Sequence, residues 1–175
     1  NVAEMVRLEM VRLHGDAALT EGFRVTTTVD SRLQSAANAA VRRAMLDYER
    51  RHGYRGPLEQ LAAAQLADPA AVAAAFKHHA DRGGLACALV ESVLERSALL
   101  RLRNGLAVEV AWDDLAWARP ALENGALGPA PKTATDVVAP GHLVYLETVE
   151  DGRYRLAQLP AVAAALVAIE PRDGA

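Results

Sequence analysis

The sequence has little cysteine and few aromatic residues, and no long apolar run. Cys87 is the single cysteine among 175 residues, so no disulfide can form within the chain. Aromatic residues make up 5% of the chain, and no apolar run approaches the ~20 residues that a membrane-spanning helix needs. These shortages exclude a disulfide scaffold and predict no membrane helix within the sequence.

The sequence also lacks the patterns that carry common catalytic chemistry. A serine nucleophile activated by a lysine one helical turn later needs Ser-x-x-Lys. The residues three positions after Ser31, Ser35, Ser92 and Ser97 are Gln34, Asn38, Glu95 and Leu100. No glycine-rich phosphate loop is present either. We therefore assign no catalytic residue, no cofactor-binding residue and no metal ligand.

Four polar features invite a functional interpretation, and each has a simpler structural one. Adjacent helical residues point about 100° apart, so His78-His79 is expected to be solvated and not a metal site. Lys132-Thr133-Ala134 approaches the Lys-Thr-Gly box of penicillin-recognising enzymes, but it lies in a proline-rich loop. Asp113-Asp114 is expected to cap a short turn, and Cys87 to be an inert buried thiol.

What the chain does contain is typical of a globular protein with an acidic larger part. Hydrophobic residues make up 51% and charged residues 23%. Residues 1–55 carry a net charge of +2 and residues 56–175 one of −5. A nucleic-acid-binding surface is usually basic, because neutralising phosphates supplies most of the affinity.

The first part of the chain is expected to form a helix, a strand and a second helix. Apolar residues recur at helical spacing from Val2 to His14, whereas Gly22 to Val29 alternates as a half-buried strand does. Asp30 or Ser31 can cap the next helix, whose apolar stripe runs from Leu33 to Tyr48. A cluster of four arginines lies largely off that stripe and is expected to be a solvated face, with a patch that meets a partner as the alternative; it comprises Arg42, Arg43, Arg50 and Arg51. Two short helices are expected next, from Leu58 to Leu66 and from Pro69 to Ala80, with Asp68 as the cap of the second.

From Gly83 onward the hydrophobic period changes to two, which favours strands. The expected strands are 85–95, 98–103, 106–111, 142–149 and 153–159, and Ala161 to Ile169 is a further candidate. Pro120 to Pro131 is expected to be a loop, and Trp112 and Trp117 to be core anchors. A five-stranded antiparallel barrel of the OB type is the natural solution, with an SH3-like barrel as the alternative.

The hairpin around Asn104-Gly105 allows its register to be chosen. A two-residue turn would mix polar and apolar residues on each face. A three-residue loop pairs Leu102 with Leu106 and Leu100 with Val108, which keeps the apolar side chains on one face. We expect this second register, with Gly105 in the left-handed conformation.

Several stretches resemble one known family. Residues 22–37, GFRVTTTVDSRLQSAA, are similar to the segment leading into the transpeptidase domain of class A penicillin-binding proteins. The most specific stretch is YERRHGYRGP at 48–57, which resembles the 1A type of Gram-negative bacteria. Residues 117–120, 128–132, 139–141 and 155–160 resemble the OB-like insert of that family, and residues 165–175 its first true transpeptidase strand.

The resemblance implies an α+β fold in which a small five-stranded antiparallel OB-like barrel joins a helical and β linker region from the start of the transpeptidase domain. It divides the chain into a linker helix with the first transpeptidase strand and helix (1–57), an alanine-rich helical segment (58–82), the barrel (83–160) and the continuing transpeptidase domain (161–175). Because the barrel would be an insertion, strands 23–29 and 163–169 are expected to lie close together and to pair.

The resemblance also implies a function. In that family the parent is a bifunctional enzyme, anchored in the membrane, that polymerises lipid II and crosslinks stem peptides on the periplasmic side. Both active sites would lie outside residues 1–175, which leaves a non-catalytic accessory and regulatory module without cofactors. Its partners would be the other domains of the synthase and an outer-membrane lipoprotein activator or other cell-wall machinery. Contact with the membrane would be made only through the parent's N-terminal anchor.

A free-standing OB barrel that binds nucleic acid or saccharide is the alternative. The span 83–159 carries 7 basic and 10 acidic residues, and its few aromatic residues offer no stacking platform. We therefore expect no nucleic-acid partner.

Overall fold

The computed structural model describes residues 2–149 and 152–172. They fall into two compact units, one formed by the chain up to Asn38 together with the residues from Val167, the other by Ala39–Leu166. None of the helices in the described ranges is both long and apolar enough to cross a bilayer.

The first unit contains helices with mostly exposed side chains. Helix α1 spans Val2–His14, as predicted, and ends at Gly15, whose φ is 60°. A short helix α2 follows at Ala17–Thr20. Helix α3 spans Ser31–His52 and continues into the second unit. Asp30 caps it, because its Oδ1 accepts hydrogen bonds from the backbone N–H groups of Arg32 at 2.7 Å and Leu33 at 3.2 Å.

The strands predicted at 23–29 and 163–169 are wrong, and so is their pairing. Both segments lie in irregular backbone, and no β-ladder reaches either of them in the described residues. Phe23, Val25 and Val29 are 43% to 45% exposed, so the apolar face of the first segment is not covered. Alternating side chains stabilise a strand only when a neighbouring strand satisfies its backbone groups. Asp173 to Ala175 lie outside the described residues.

The second unit is built on an antiparallel sheet. Its strands are β1 (Glu59–Gln60), β2 (Ala86–Val93), β3 (Ser97–Leu102), β4 (Ala107–Ala111), β5 (His142–Thr148) and β6 (Tyr154–Ala157). The order is β1-β5-β2-β3-β4, and β6 pairs with β5. The five predicted strands are therefore confirmed. The sheet is open, since no ladder joins β4 to β6 within the described residues.

The predicted register of the first hairpin is confirmed. Leu100 lies opposite Val108 and Ala98 opposite Val110. The backbone N–H of Leu102 donates to the carbonyl of Leu106 at 2.9 Å. Gly105 has φ of 85°, the left-handed conformation that this three-residue loop requires. In the second hairpin, Asp151 of the predicted Asp151-Gly152 turn lies outside the described residues.

Two cores lie on opposite faces of the sheet. Ala88, Val90 and Leu100 pack with Leu115 and Val138 on one face. On the other face, Cys87, Leu89 and Tyr145 pack with Phe76 of helix α5 (Pro69–His78) and Leu46 of α3. Asp68 caps α5 as predicted, accepting from the N–H of Ala70 at 2.9 Å.

The helix predicted from Leu58 to Leu66 is wrong over its first half. Glu59 and Gln60 form β1, opposite Leu143 and His142, and only Ala63–Leu66 is helical, as α4. The backbone N–H of Leu58 donates to the carbonyl of Leu143 at 2.8 Å. Pairing with the first residues of β5 satisfies these backbone groups better than an isolated helical turn would.

Candidate functional site

A buried carboxylate lies where the chain enters and leaves the sheet domain. Glu49 is in the last turn of α3 and is 2% exposed. Its Oε2 accepts a hydrogen bond from Gln158 Nε2 at 2.9 Å and another from the guanidinium of Arg55. Its Oε1 accepts from the backbone N–H of Ala161 at 2.8 Å. A buried charge is stable only with such a set of donors.

Gln158 and Arg55 extend this network to the backbone. Gln158 Nε2 also donates to the carbonyl of Gly53 at 2.8 Å, and its Oε1 accepts from the N–H of Arg55 at 3.0 Å. Arg55 also donates through Nη2 to the carbonyl of Leu159 at 2.6 Å. Residues 49–55 are thus joined to residues 158–161 across more than 100 positions of sequence. We call this set the junction; it comprises Glu49, Gly53, Arg55, Gln158, Leu159 and Ala161.

The backbone at the junction is held tightly from a second side by the loop after β4. The N–H of Tyr54 donates to the carbonyl of Arg119 at 2.7 Å, and the N–H of Ala121 donates to the carbonyl of Tyr54 at 2.9 Å. Gly53 has φ of 92°, and a Cβ there would lie 2.9 Å from the carbonyl oxygen of Arg119. Glycine is required here both by conformation and by space.

The side chain of Tyr54 extends into the core without a polar partner. It is 7% exposed, and its hydroxyl is the one buried side-chain polar atom without a hydrogen bond among the described residues. Burial raises the pKa of this phenol, because the charged form would lose its water. The ring contacts that of Trp117 edge to face, with the centroids 5.9 Å apart.

Three further ion pairs connect the β5–β6 hairpin to its neighbours. Asp114 is 3% exposed and accepts hydrogen bonds from Arg153 at 3.0 Å and from Arg155 at 2.9 Å. Arg50 of α3 donates to Glu147 at 2.9 Å and also pairs with Asp47. The hairpin is therefore bound on one side to the turn after β4 and on the other to α3.

The candidates singled out from the sequence are spread over the domain. Lys132 and Thr133 lie in a loop, as predicted, whereas Ala134 begins the 3₁₀ helix Ala134–Asp136. The N–H groups of Lys132 and Thr133 donate to Asp136 at 2.8 and 3.0 Å. Cys87 is fully buried, as predicted, and burial raises its pKa to about 12. The four serines lie on α3, β2 and β3.

Two of these expectations need correction. His79 is not simply solvated, because its Nε2 lies 2.9 Å from Glu59 Oε2 and its side chain is 19% exposed. The predicted cap at Asp113-Asp114 is wrong, because both residues lie inside the 3₁₀ helix Trp112–Asp114, whose start has no side-chain cap. The carboxylate of Asp114 instead binds Arg155 of β6 and the neighbouring Arg153. The described residues contain no cluster of three or more His, Cys, Asp and Glu side chains suited to a metal ion.

The junction itself could not be found from sequence spacing. Glu49 lies between Tyr48 and Arg50 on a helix with many charged residues, and nothing in the local sequence distinguishes it from a surface residue. Gln158 follows β6 in an ordinary polar position. One signal was available: the YERRHGYRGP stretch at 48–57, whose family resemblance is the most specific in the chain, contains Glu49, Gly53 and Arg55.

The sheet order and antiparallel registers define an OB-like domain. Residues 54–162 match the family model of the penicillin-binding protein OB-like domain. The chain belongs to this family.

The similarity to known proteins extends over nearly the whole chain. Penicillin-binding protein 1A of Pseudomonas aeruginosa is 42% identical over 99% of the chain, and that of Escherichia coli is 37% identical over 99%. The crystal structure of penicillin-binding protein 1A from Haemophilus influenzae matches 91% of the chain with a TM-score of 0.64 and 30% identity, over 22% of its own length. The chain spans about a fifth of the length of the curated relatives, 21% in both cases.

Proposed function

We propose that this chain is the non-catalytic accessory and regulatory module of a bifunctional peptidoglycan synthase. The parent would polymerise lipid II into glycan and crosslink stem peptides at the periplasmic side of the inner membrane, where it would be anchored. Its partners would be the other domains of the synthase and an outer-membrane lipoprotein activator or other cell-wall machinery. The similarity to three penicillin-binding proteins 1A supports this proposal.

The observation that carries the proposal is the junction. It holds residues 49–55 and residues 158–161 in one hydrogen-bonded unit, so the intervening domain is joined to the end of α3 at a single fixed base. A force applied to the sheet is then transmitted to α3, because the buried network and both cores resist deformation. A rigid base of this kind suits a domain that passes a binding event along the chain.

The absence of catalytic patterns supports the non-catalytic part of the proposal. No serine is followed by lysine at the required spacing, and Cys87 is buried with a pKa of about 12. We expect no covalent labelling of the chain by a fluorescent penicillin and no polymerisation of lipid II. A label that survives denaturation and disappears on mutation of one serine would contradict this expectation.

Binding of single-stranded nucleic acid is the alternative function, and the aromatic side chains do not favour it. Tyr54 and Tyr145 are buried, and Trp112, Trp117 and Tyr154 pack against the core. Bases need exposed rings on which to stack. We expect weak binding that is lost in modest salt, measured by fluorescence anisotropy; sub-micromolar affinity at physiological salt would favour the alternative.

Excision of the domain tests the proposal. Because the Gly53 carbonyl lies 2.8 Å from Gln158 Nε2, a short flexible linker can replace residues 54–157 in the whole synthase. We expect the excised enzyme still to be acylated by fluorescent penicillin, while its crosslinking no longer responds to cell-wall partners. Loss of acylation in a folded protein would place the domain in the catalytic machinery, and an unchanged response would refute a regulatory role.

A further inference from the structure

A groove with a basic rim runs between α5 and the β3–β4 hairpin. It has a volume of about 480 Å³ and lies within the second unit. Leu66 of α4 and Val72 and Phe76 of α5 form its helical wall, and residues 101–103 and 105 form the opposite wall. Leu106, which follows Gly105 in the hairpin loop, is 53% exposed. The groove therefore offers an apolar floor beside an exposed leucine, the geometry that accepts a large apolar side chain.

The positive charges at the groove are incompletely neutralised. Lys77 is exposed and makes no ion pair within the described residues. Arg103 donates to the backbone carbonyls of Phe76 and, at 3.2 Å, of His79. Those bonds give the guanidinium only the partial negative charge of the C-terminal end of α5 and no carboxylate partner.

Acidic residues near the groove are already engaged. Glu91 forms an ion pair with Arg101 at 2.9 Å, and the Asp68 carboxylate caps the N-terminus of α5. The described residues that line the groove include three cations and no acid. This basic rim contrasts with the barrel span 83–159, in which 10 acidic residues outnumber 7 basic ones. The basic rim therefore favours a negatively charged partner at this groove.

We propose that the groove docks an acidic protein segment that inserts one or two large apolar side chains between α5 and the hairpin. The inference rests on the proposed function and gives the regulatory partner a chemistry, namely Asp or Glu side chains flanking a leucine-sized anchor. The rim would hold the carboxylates, whereas the apolar floor would supply most of the affinity.

Nuclear magnetic resonance of the 15N-labelled chain provides the test. The probe is a synthetic peptide of glutamates with two leucines at helical spacing, titrated to about 1 mM, because exposed charge pairs and one anchor give weak binding. We expect saturable shifts confined to residues 66–77 and 99–106. A peptide with lysine in place of glutamate, and a glutamate peptide without leucine, should produce at most slight shifts.

A charge reversal supplies the matched control. Lys77→Glu should weaken peptide binding about three- to tenfold. Arg24→Glu, a charge reversal of the same sign at an exposed position of the first unit, should leave the affinity within about twofold. Absence of shifts at the highest peptide concentration, shifts elsewhere, or equal binding of the lysine peptide would each overturn the inference. Tighter binding of oligothymidine or of phosphatidylglycerol vesicles at the same residues would assign the groove to another partner and overturn it too.

The outcome is separable from that of the proposed function. If the peptide fails to bind but excision of the domain still removes regulation, peptide docking in the groove is refuted and the regulatory role of the domain is supported. If the peptide binds as expected but excision changes nothing, the groove exists and the regulatory role is refuted.

Discussion

Gln158 Nε2 lies 2.9 Å from Glu49 Oε2, and this single hydrogen bond joins residues 109 positions apart. The Gln158 side chain donates both to the Glu49 carboxylate on α3 and to the backbone carbonyl of Gly53. The two points where the chain enters and leaves the sheet domain are therefore fixed to each other. These hydrogen bonds hold the two points together, and the paired strands predicted from the sequence are not present in the described residues.

Removing the buried carboxylate should weaken the fold far more than removing an exposed one. Glu49→Ala leaves the donors of Gln158, Arg55 and Ala161 without their acceptor, and we expect unfolding free energy to fall by about 2–3 kcal/mol. Asp47→Ala on the same helix removes a carboxylate 44% exposed and should cost under about 1 kcal/mol. Urea denaturation measures both; equal losses would show that the junction contributes little.

Replacing Tyr54 by phenylalanine should stabilise the protein. Its buried hydroxyl has no partner, so Tyr54→Phe removes an uncompensated polar group and should raise the unfolding free energy by about 1 kcal/mol. Tyr145→Phe is the matched control, because that hydroxyl donates to the carbonyl of Ala80 at 3.0 Å and its loss should destabilise by about 1 kcal/mol. Thermal unfolding followed by circular dichroism compares them. A destabilised Tyr54→Phe would mean that the hydroxyl is bonded in solution.

Gly53 should tolerate a methyl group less well than Gly56. Both have positive φ, at 92° and 98°, so alanine costs about 1–2 kcal/mol in backbone strain at either position. At Gly53 the added Cβ would also lie 2.8 Å from Leu127 Cδ2 and 2.9 Å from the Arg119 carbonyl oxygen, whereas nothing lies within 4 Å at Gly56. We expect Gly53→Ala to cost at least about 1 kcal/mol more in urea denaturation. Equal costs would contradict the tight packing at the junction.

The Cys87 thiol should be unreactive in the native protein and should lower stability at high pH. Burial raises its pKa from 9.0 to about 12. The thiol is neutral in both states below pH 9; above it the unfolded chain ionises first, so stability falls as pH rises from about 9 towards 12. Modification by Ellman's reagent should occur only as the protein unfolds in urea. In Cys87→Ala, the loss of stability between about pH 9 and pH 12 that the thiol causes should disappear. Rapid native modification would show that the thiol is exposed.

Local patterns predicted the parts of the fold that local chemistry controls. Three kinds of feature depend on residues close in sequence. They are the helix from Val2 to His14, the caps at Asp30 and Asp68, and the register that places Leu100 opposite Val108. They were therefore readable from spacing and cap chemistry.

Partners distant in sequence decided the parts that the sequence did not predict. Residues 23–29 alternate as a strand does, but no strand pairs with them among the described residues. Glu59 and Gln60 lie in a segment with a helical pattern, and they pair with β5 instead. Glu49 and Asp114 look like ordinary surface acids, and only the fold reveals that arginines and Gln158 surround them. Buried polar networks of this kind depend on contacts that no local window contains.

The most direct test of the account is peptide crosslinking by the whole synthase carrying Gln158→Ala, with Asp47→Ala as control and penicillin acylation measured in parallel. Gln158→Ala removes the hydrogen bonds to Glu49, Gly53 and Arg55 while leaving the groove intact. We predict that acylation is retained and that partner-stimulated crosslinking falls at least about fivefold, while Asp47→Ala behaves as the parent enzyme does. Undiminished stimulated crosslinking in a folded Gln158→Ala enzyme would contradict the claim that the junction transmits regulation.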